Sequence, residues 1–474
     1  MNLVVMKFGG TSVEDPAAIA RTAAIVAGRV SAGKKPIVVV SAMARVTDQL
    51  LRCASAASLG DRTGALAISS RLRCRHRDTA AALVKDAKES AALANWIDKK
   101  FDQLDEVLRG LAAILELTPR ISDLIVSFGE RISSRMIAAA FCQHGICAEH
   151  VDSRDVIVTD SSYQKAIPID AIIEKRAAEK LLPHITAGRV PVMGGFIASN
   201  EAGITTTLGR GGSDFTGALI GGAMHAESIE IWTDVDGIMT ADPRVCPDAL
   251  RVKTISFEEA AELAYFGAKV LHPATILPAV KKNIPVQVLN SRNPSNDGTR
   301  IISLAPHCQS PFKSIAVKKK LSIIDLVASR MLMTHGYLKE IFTIFDKHQT
   351  PVDMVSTSEV SVSLTVDSND KLPQIAADLS QLADVKYEGK KALVCMVGED
   401  IRGQNGMAAQ VFAAIRHINV RMISQGASEI NMSFMIEEDD ADEAVRSLHA
   451  AFFQNPDPTV FDVEARKQLV TPGP

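Results

Sequence analysis

The stretch VVMKFGGTSV, Val4–Val13, joins a short apolar run to a lysine, two glycines, a threonine and a serine. An apolar strand followed by glycines is typical of a turn that holds phosphate, because backbone amides come close to the phosphate oxygens there. The order is unusual, since Lys7 precedes the glycines, whereas the lysine of the common phosphate loop follows them. The stretch alone fits two interpretations: a phosphate site of another kind, or a tight turn that needs glycine for its backbone angles.

A strand, a helix and a second strand are predicted around this turn. Leu3–Met6 is uniformly apolar, Pro16–Val30 repeats apolar residues at helical spacing, and Lys35–Met43 is again largely apolar. Strand–helix–strand units of this kind form parallel sheets whose ligands bind at the carboxyl ends of the strands. The sequence therefore predicts an α/β domain with its site beside the opening turn.

The alternation of strands and helices continues to about residue 295, where a loop-like segment follows. From Gln49 to about Leu117 an Ala- and Leu-rich helical pattern interrupts it, and we interpret this stretch as a helical insertion or lid. The run DLIVSFGE, Asp123–Glu130, is predicted as a strand that leads into a helix from Arg131 to His144.

The last 160 residues contain an internal repeat with an offset of 70 residues. Its landmarks are the pairs Gly336 and Gly406, Phe342 and Phe412, and Glu359 and Glu429. Each copy has the pattern of a helix followed by two alternating strands and a second helix. Two βαββαβ modules are therefore predicted, since two copies are too few for a solenoid.

The composition is that of an average globular protein. A formal net charge of -3 and 23% charged residues favour neither nucleic acid nor an anionic membrane as a partner. Seven scattered cysteines without a CxxC pair suggest neither a disulfide framework nor a zinc site, and a cytoplasmic location is the simplest setting. No apolar stretch approaches the length of a membrane span.

Several polar groups stand at the predicted strand ends and glycine turns. The loop Thr205–Asp214, TTTLGRGGSD, places Arg210 and Asp214 within a glycine run before a helix, although a flexible turn is the alternative. Thr233 and Asp234 end a buried strand, with Asp236, Asp242 and Arg244 behind them, either as a ligand cleft or as a polar turn. Phosphoryl transfer is indicated by three features together: the two lysines Lys7 and Lys269, two glycine loops, and the lack of a covalent nucleophile.

These motifs, in this order, resemble the aspartate kinase family. The resemblance rests on KFGGTS, SFGE, TTTLGRGGSD, WTDVDGI, ADPR, FGAKVLHP and VSTSEVSVSLT and spans nearly the whole chain. It implies an amino acid kinase fold, in which helices sandwich a parallel-rich sheet, over residues 1–295. Two ACT modules of ferredoxin-like α+β type would follow at 310–390 and 391–465. It also implies transfer of the γ-phosphoryl of ATP, with Mg²⁺, to the side-chain carboxylate of L-aspartate. The product, 4-phospho-L-aspartate, begins lysine, threonine and methionine synthesis.

The resemblance also implies roles for individual residues, and no protein metal ligand is among them. The catalytic residues would be Lys7, which stabilises the transferring phosphoryl group, and Asp214. Aspartate would be bound by Thr47, Glu130, Arg210 and Ser213. The nucleotide would be bound by Lys7, Gly9, Gly10, Thr233, Asp234, Met239, Arg244, Lys269 and Val270.

Two positions depart from the family pattern. Arg45 occupies a place that is usually glycine, and a positive φ there would cost an arginine on the order of 1 kcal/mol or more. Met239 stands where a tyrosine often contacts the nucleotide. Neither departure removes a charged catalytic group.

The C-terminal modules most resemble those of lysine-inhibited enzymes with one activity. Asp353 and Glu359 are carboxylates that suit an ammonium ligand, although exposed strand-end charges are the alternative. A homodimer through the ACT modules is expected, with a tetramer as the larger alternative. The implied effector contacts are Met331, Thr334, Gly336, Tyr337, Leu338, Val352, Asp353, Ser358 and Glu359.

Three other hypotheses remain open from the sequence. A kinase of the same fold could act on glutamate or acetylglutamate, but such enzymes lack the paired modules. Threonine could replace lysine as the regulator. A sensor with weakened catalysis would be supported by Arg45 and Met239 alone. A dehydrogenase is excluded, because no GxGxxG follows either early strand.

Overall fold

The computed structural model describes residues 2–267, 273–308, 310–328, 335–368, 370–426 and 428–463. The chain divides into two compact units. The first comprises Met1–Ile238, Thr254–Phe257 and Val270–Ala305, and the second comprises Met239–Lys253, Glu258–Lys269 and Pro306–Pro474. Among the described helices, none is long and apolar enough to cross a membrane.

A largely parallel sheet forms the centre of the first unit. The strands of this unit are Leu3–Phe8 (β1), Lys35–Val40 (β2), Ala148–His150 (β3), Val158–Thr159 (β4), Val190–Gly194 (β5), Ile197–Asn200 (β6), Thr205–Thr207 (β7), Ser228–Thr233 (β8), Thr254–Ser256 (β9), Val286–Asn290 (β10) and Thr299–Ile302 (β11). Within the described residues, the main sheet has the order β3-β5-β2-β1-β8-β10-β11-β9, and of its neighbouring pairs only β10 and β11 run antiparallel. Strands β4, β6 and β7 form a smaller sheet.

The helices up to residue 281 include the one predicted after the opening turn. They are Pro16–Ser31 (α1), Val46–Ser58 (α2), Arg62–Leu83 (α3), Ala87–Ile114 (α4), Pro119–Gln143 (α5), Asp170–Thr186 (α6), Gly212–Ala223 (α7), Phe257–Tyr265 (α8) and Pro273–Lys281 (α9). Helix α1 begins where the Asp15 carboxylate accepts a hydrogen bond from the Ala18 amide at 2.7 Å, with Pro16 in the first turn. Of its four apolar positions at helical spacing, Ile19, Ala23 and Val26 are buried, whereas Val30 in the last turn is exposed.

The predicted helical stretch after Gln49 is confirmed as α2, α3 and α4. Their apolar residues, including Phe101 and Leu104 of α4, belong to one buried cluster with Met6 of β1 and Val38 of β2. The insertion therefore shares the core of the sheet domain.

The strand prediction for DLIVSFGE is wrong. Residues 123–130 lie in the middle of α5, which begins at the Thr118 cap and Pro119 and continues without interruption to Gln143. A short, uniformly apolar run fits a buried helix as well as a buried strand, because only a one-sided helix shows the 3.6-residue period. Both polar ends of the run, Asp123 and Glu130, are buried as well, so the helix has no exposed face there to reveal its period.

An antiparallel sheet forms the core of the second unit. Its strands are Phe312–Val327 (β12), Met354–Thr357 (β13), Ser361–Asp367 (β14), Asp384–Gly398 (β15), Met422–Gln425 (β16) and Asn431–Glu437 (β17). In the described part of the chain, their order is β13-β14-β12-β15-β17-β16. The helices of the repeat are Tyr337–Lys347 (α10), Leu372–Leu379 (α11), Met407–Ala414 (α12) and Ala441–Phe452 (α13).

The two copies of the 70-residue repeat also share unusual backbone conformations. Gly336 and Gly406 precede α10 and α12 with φ of 84° and 79°, and Lys320 and Lys390 have φ of 63° and 53° within the two long strands. The β12–β15 pairing shifts register beside these two lysines. The C-terminal half of β12, Leu321–Val327, pairs with β14 of the first repeat. The C-terminal half of β15, Lys391–Val397, pairs with β17 of the second repeat.

Candidate active site

A cleft of about 390 Å³ lies at the carboxyl ends of β1 and β2, where the βαβ pattern predicts a site. The loop after β2, the first turn of α2, the middle of α5 and the glycine turn before α7 surround it. Its lining residues are Lys7, Gly10, Ser41, Ala42, Met43, Ala44, Arg45, Thr47, Asp48, Glu130, Phe196, Gly209, Gly211, Gly212, Ser213 and Asp214.

An ion pair between Lys7 and Asp214 forms the base of the cleft. The Lys7 Nζ lies 2.5 Å from the Asp214 Oδ1, and both side chains are largely buried. Lys7 comes from β1, whereas Asp214 lies in the first turn of α7, whose dipole favours a negative charge at that end. The opening turn and the second glycine loop therefore meet at one point, with a cation facing the cleft.

The glycines of both turns allow close backbone approach. The Gly9 amide donates to the Trp232 carbonyl at 3.0 Å, which joins the opening turn to the end of β8. A Cβ on Gly10 would lie 3.0 Å from the Ala42 carbonyl. Gly211 precedes α7 with φ of 73°, in the left-handed region that favours glycine.

Glu130 reaches the cleft as a buried carboxylate. It is 3% exposed, its Oε1 accepts a hydrogen bond from the Ala42 amide at 3.2 Å, and its Oε2 has no hydrogen-bond partner within the described residues. Burial raises the pKa of Glu130 to about 8, although the Ala42 amide opposes the shift. A buried acceptor without a partner, facing a cleft, fits a cationic ligand group.

Thr47 and Ser213 also line the cleft, but the Arg210 side chain does not. Arg210 is exposed, while the glycines on either side of it form part of the wall. Arg45 stands before α2 with φ of 66°, so this position does have the left-handed backbone that glycine would adopt without cost. The cost stays local, because Thr47 remains in the first turn of α2.

The predicted nucleotide residues are dispersed. Thr233 ends β8, next to β1 in the sheet, and its hydroxyl donates to Asp234 at 3.3 Å. Met239 and Arg244 belong to the second unit, where the largely exposed Arg244 guanidinium is paired with Asp242 at 2.6 Å. Lys269 and Val270 lie outside the described residues.

Phe196 and Arg75 are among the contributions to the cleft that sequence reasoning missed. Phe196 lines the cleft with φ of 65°, a backbone conformation that a phenylalanine rarely adopts. No local sequence pattern predicts it. Arg75 of α3 donates to the Ala44 carbonyl and to the Glu14 carbonyl, each at 2.9 Å, and so fixes the loop after β2 to the helical insertion. The sequence around Arg75, RCRHRD, has the pattern of a solvated helix face, so no signal identified it.

The predicted effector residues lie in the second unit, except that Met331 and Thr334 fall outside the described residues. Gly336 precedes α10, and Tyr337 and Leu338 form its first turn. Val352 and Asp353 come just before β13, whereas Ser358 and Glu359 form the turn after it. The two carboxylates therefore stand at opposite ends of one strand of the same chain.

Asp353 already holds an ammonium group. Its carboxylate is 4% exposed and accepts hydrogen bonds from Lys318 Nζ at 2.8 and 2.9 Å. Burial lowers the pKa of Lys318, but the hydrogen bonds and charges of Asp353 and Asp367 outweigh burial and raise it. Tyr265 of α8 also donates its hydroxyl to Asp353, at 3.2 Å.

Comparison with known proteins identifies the family. Residues 2–290 match the amino acid kinase family, and residues 394–452 match the ACT domain. The chain is 38% identical to the lysine-sensitive aspartokinase 3 of Escherichia coli (strain K12) over 464 residues, which cover 95% of this chain and 99% of that protein. The chain belongs to the aspartate kinase family.

Solved structures of aspartate kinases share its fold. E. coli aspartokinase III in complex with aspartate and ADP matches with a TM-score of 0.83 at 37% identity, over 95% of this chain and 100% of that one. The same enzyme in complex with lysine and aspartate matches with a TM-score of 0.81 at 38% identity, over 96% and 100%. The predicted family, fold class and aspartate kinase activity are thereby confirmed. Use of a nucleotide follows from the kinase activity.

Glu130 should contribute a loss of stability to the ligand-free aspartate kinase as the pH rises from about 4.5 to about 8. Over this window Glu130 keeps its proton in the folded protein, with a pKa raised to about 8 from an ordinary 4.5, whereas the unfolded chain is ionised. Unfolding therefore releases a proton, and the free energy of unfolding falls with pH. We expect Glu130→Gln to lose this slope in urea denaturation at several pH values.

The matched control for this experiment is Glu201→Gln, which changes an exposed carboxylate outside the cleft. It should keep the slope of the unchanged protein. Parallel pH profiles for the Glu130→Gln variant and the unchanged protein would show that Glu130 is ionised in the empty cleft.

Proposed function

We propose that this aspartate kinase phosphorylates the side-chain carboxylate of L-aspartate in the cleft between β1, α5 and α7, and that L-lysine inhibits it through the second unit. The observation that carries the catalytic part is one cleft with two opposite features: the Lys7 ammonium, held by Asp214, and the unpartnered buried Glu130 carboxylate. The first suits a phosphoryl group, and the second suits the ammonium of an amino acid.

Lys7 would stabilise the charge that develops on the phosphoryl oxygens during transfer, because a fixed ammonium in a water-poor cleft acts on that charge without reorganisation. Asp214 would hold the ammonium in place. No general base is needed, since the acceptor carboxylate of aspartate is already ionised at neutral pH. The Gly10 amide would face the phosphates, whereas the Gly9 amide already donates to the Trp232 carbonyl.

Substrate binding would use the remaining polar groups of the cleft. Glu130 would take the aspartate ammonium, and in doing so would release its proton. Ser213 and Thr47 line the wall beside it, and Arg210 would turn inward to pair with a carboxylate of the substrate, since a guanidinium fork does so with two hydrogen bonds.

ATP would enter as its Mg²⁺ complex. Within the described residues no group of three or more His, Cys, Asp or Glu side chains could hold a metal ion. This fits Mg²⁺, which keeps several waters and is bound largely through substrate phosphates. Thr233, Asp234, Met239, Arg244, Lys269 and Val270 would contact the nucleotide.

We also propose the domain division 1–295, 310–390 and 391–465. The first range stops short of β11, which belongs to the main sheet, and its segments Met239–Lys253 and Glu258–Lys269 cluster with the second unit. The two later ranges each hold one copy of the 70-residue repeat. A cytoplasmic location is proposed because all seven cysteines are free thiols, which suits a reducing compartment.

We expect Lys7→Ala to lower kcat with L-aspartate and Mg·ATP by about 10²–10³-fold, the range seen when one fixed donor to a developing charge is removed. ADP release with an acyl-phosphate trap measures the rate, and glutamate and acetylglutamate serve as alternative acceptors. The control is Lys34→Ala, which removes a surface lysine paired with Glu227.

Undiminished turnover of Lys7→Ala would overturn the role of this lysine. Faster turnover of glutamate or acetylglutamate than of aspartate would overturn the substrate. Lysine binding without any turnover in the unchanged protein would favour the sensor hypothesis, which the strained Arg45 position supports.

Asp353 favours lysine as the effector. Its carboxylate is nearly buried and already accepts hydrogen bonds from a primary ammonium, that of Lys318. An effector with a side-chain ammonium can replace that group one for one, whereas the hydroxyl of threonine would leave the carboxylate charge without a counterion. Asp353 also contacts Tyr265, at the end of α8, shortly before the predicted nucleotide residue Lys269.

The same helix is anchored to the antiparallel sheet by polar contacts. Glu259 of α8 forms a fully buried ion pair with Lys313 of β12 at 2.8 Å, and Glu262 accepts from Asn431 at 2.6 Å. A change at Asp353 would therefore reach α8 through Tyr265 while the two anchors hold its other turns. This gives the effector a path of direct contacts toward the nucleotide segment.

A homodimer is proposed on two grounds. Strand β13 is an edge of the antiparallel sheet, and Leu338 and Phe342 of α10 are exposed apolar side chains. Asp353 and Glu359 are separated by the length of β13, about 14 Å at the usual strand rise, so an effector that contacted both would draw one from a second copy. A tetramer remains the larger alternative.

We expect L-lysine to inhibit the enzyme, and threonine and methionine to leave its rate unchanged at the same concentrations. The measurement is the initial rate at subsaturating aspartate and Mg·ATP across a concentration series of each amino acid. Inhibition by threonine alone would overturn the effector assignment and leave the chemistry of the cleft intact.

We expect Lys318→Met to lower the half-inhibitory concentration of L-lysine by up to about 10-fold. The variant removes the internal ammonium and leaves the Asp353 charge buried without its main partner, which favours an incoming ammonium. The control is Lys319→Met, which removes the neighbouring lysine from an exposed pair with Asp442. An unchanged or higher half-inhibitory concentration for Lys318→Met would mean that the effector does not displace Lys318.

A further inference from the structure

Asp123 is a buried carboxylate outside the cleft, on the helix that carries Glu130. It is 1% exposed and lies seven residues, about two helical turns, before Glu130 in α5. The two carboxylates therefore project from the same side of one helix, and Asp123 does not line the cleft.

Three hydrogen bonds converge on this carboxylate. The Thr207 hydroxyl donates to Oδ1 at 2.8 Å, and the amides of Thr207 and Gln164 donate to Oδ2 at 3.0 and 2.9 Å. Burial raises the pKa of Asp123, and the three donors oppose that shift. One side chain thus joins α5 to two segments that are distant in sequence.

Both segments adjoin the glycine turn before α7. Thr207 is the last residue of β7, two residues before Gly209. Gln164, with φ of 69°, presents its carbonyl to Gly209 so closely that a Cβ there would lie 2.9 Å from the oxygen. Asp123 therefore fixes the start of the turn and the wall against which it packs.

We propose that Asp123 is a positioning residue for phosphoryl transfer, because it fixes the turn 208–214 to the helix that carries Glu130. The inference rests on the proposed roles of Lys7 and Glu130. The turn leads into α7, whose first turn carries Asp214, the partner that orients Lys7. The spacing between the phosphoryl-facing ammonium and the substrate-facing carboxylate is therefore set through α5. Loss of the three contacts would let the turn shift by a fraction of an ångström. Such a shift lowers the rate, because phosphoryl transfer depends on the alignment of the reacting groups.

The test compares Asp123→Ala with Asp105→Ala. Asp105 is also a largely buried carboxylate that accepts hydrogen bonds, from Ser69 and Arg73, but its partners lie in the helical insertion. Asp123→Ala should raise KM for aspartate and lower kcat, each on the order of 10-fold, while KM for Mg·ATP changes less than about twofold. Asp105→Ala should lower the thermal midpoint and leave both KM values unchanged.

Two milder variants keep the proposal testable where Asp123→Ala folds poorly. Asp123→Asn keeps an oxygen for the two amides, and its NH₂ can donate to the Thr207 hydroxyl, so it should restore most of the KM for aspartate. Thr207→Val removes only the hydroxyl contact and should raise that KM about two- to fivefold.

The proposal is overturned where Asp123→Ala or Thr207→Val lowers the thermal midpoint as Asp105→Ala does and leaves the KM for aspartate and kcat unchanged. It is also overturned where KM for Mg·ATP rises as much as KM for aspartate. A Lys7→Ala variant slowed as expected, together with an unaffected Asp123→Ala, would leave the proposed function standing and remove only this inference. Undiminished turnover of Lys7→Ala would instead overturn the proposed role of Lys7, on which this inference rests.

Discussion

The ion pair between Lys7 and Asp214 is the constraint around which the first unit is arranged. A cation at the end of a buried strand is costly unless a carboxylate and a polar cleft receive it. The partner comes from the first turn of α7, more than 200 residues later in the chain. The parallel pairing of β2 and β1 brings the opening turn and the loop after β2 to the same edge of the sheet, where the glycine turn before α7 also lines the cleft.

Helix α5 supplies the second half of the site. Its residues 125–130 are buried beside the strand ends, so Glu130 is presented in a poorly solvated environment where an ionised carboxylate needs a cationic partner. In the proposed function, the same environment would favour an amino acid over a simple carboxylate, because only the former brings an ammonium. A buried polar group that is unfavourable for the free protein is thus favourable for binding.

The second unit also contains a nearly buried carboxylate whose charge needs a cationic partner. Asp353 is nearly buried, and the chain neutralises it with Lys318 when no other ammonium is present. Helix α8, whose sequence precedes the predicted nucleotide segment, is held on the antiparallel sheet by the Glu259–Lys313 and Glu262–Asn431 contacts. The contact between Tyr265 and Asp353 makes this helix a direct neighbour of the proposed effector carboxylate.

The sequence by itself determined the elements whose pattern is local. The βαβ opening, the helical insertion and the 70-residue repeat all follow from apolar periodicity and turn residues, and the ordered motifs identified the family. Tertiary structure alone decided the rest. It placed Asp123–Glu130 in a helix, because a run buried on all sides has no period to distinguish helix from strand. It also brought Phe196 to the cleft, Arg75 to the loop after β2 and Lys318 to Asp353, because a side chain's partner depends on contacts between residues far apart in the chain.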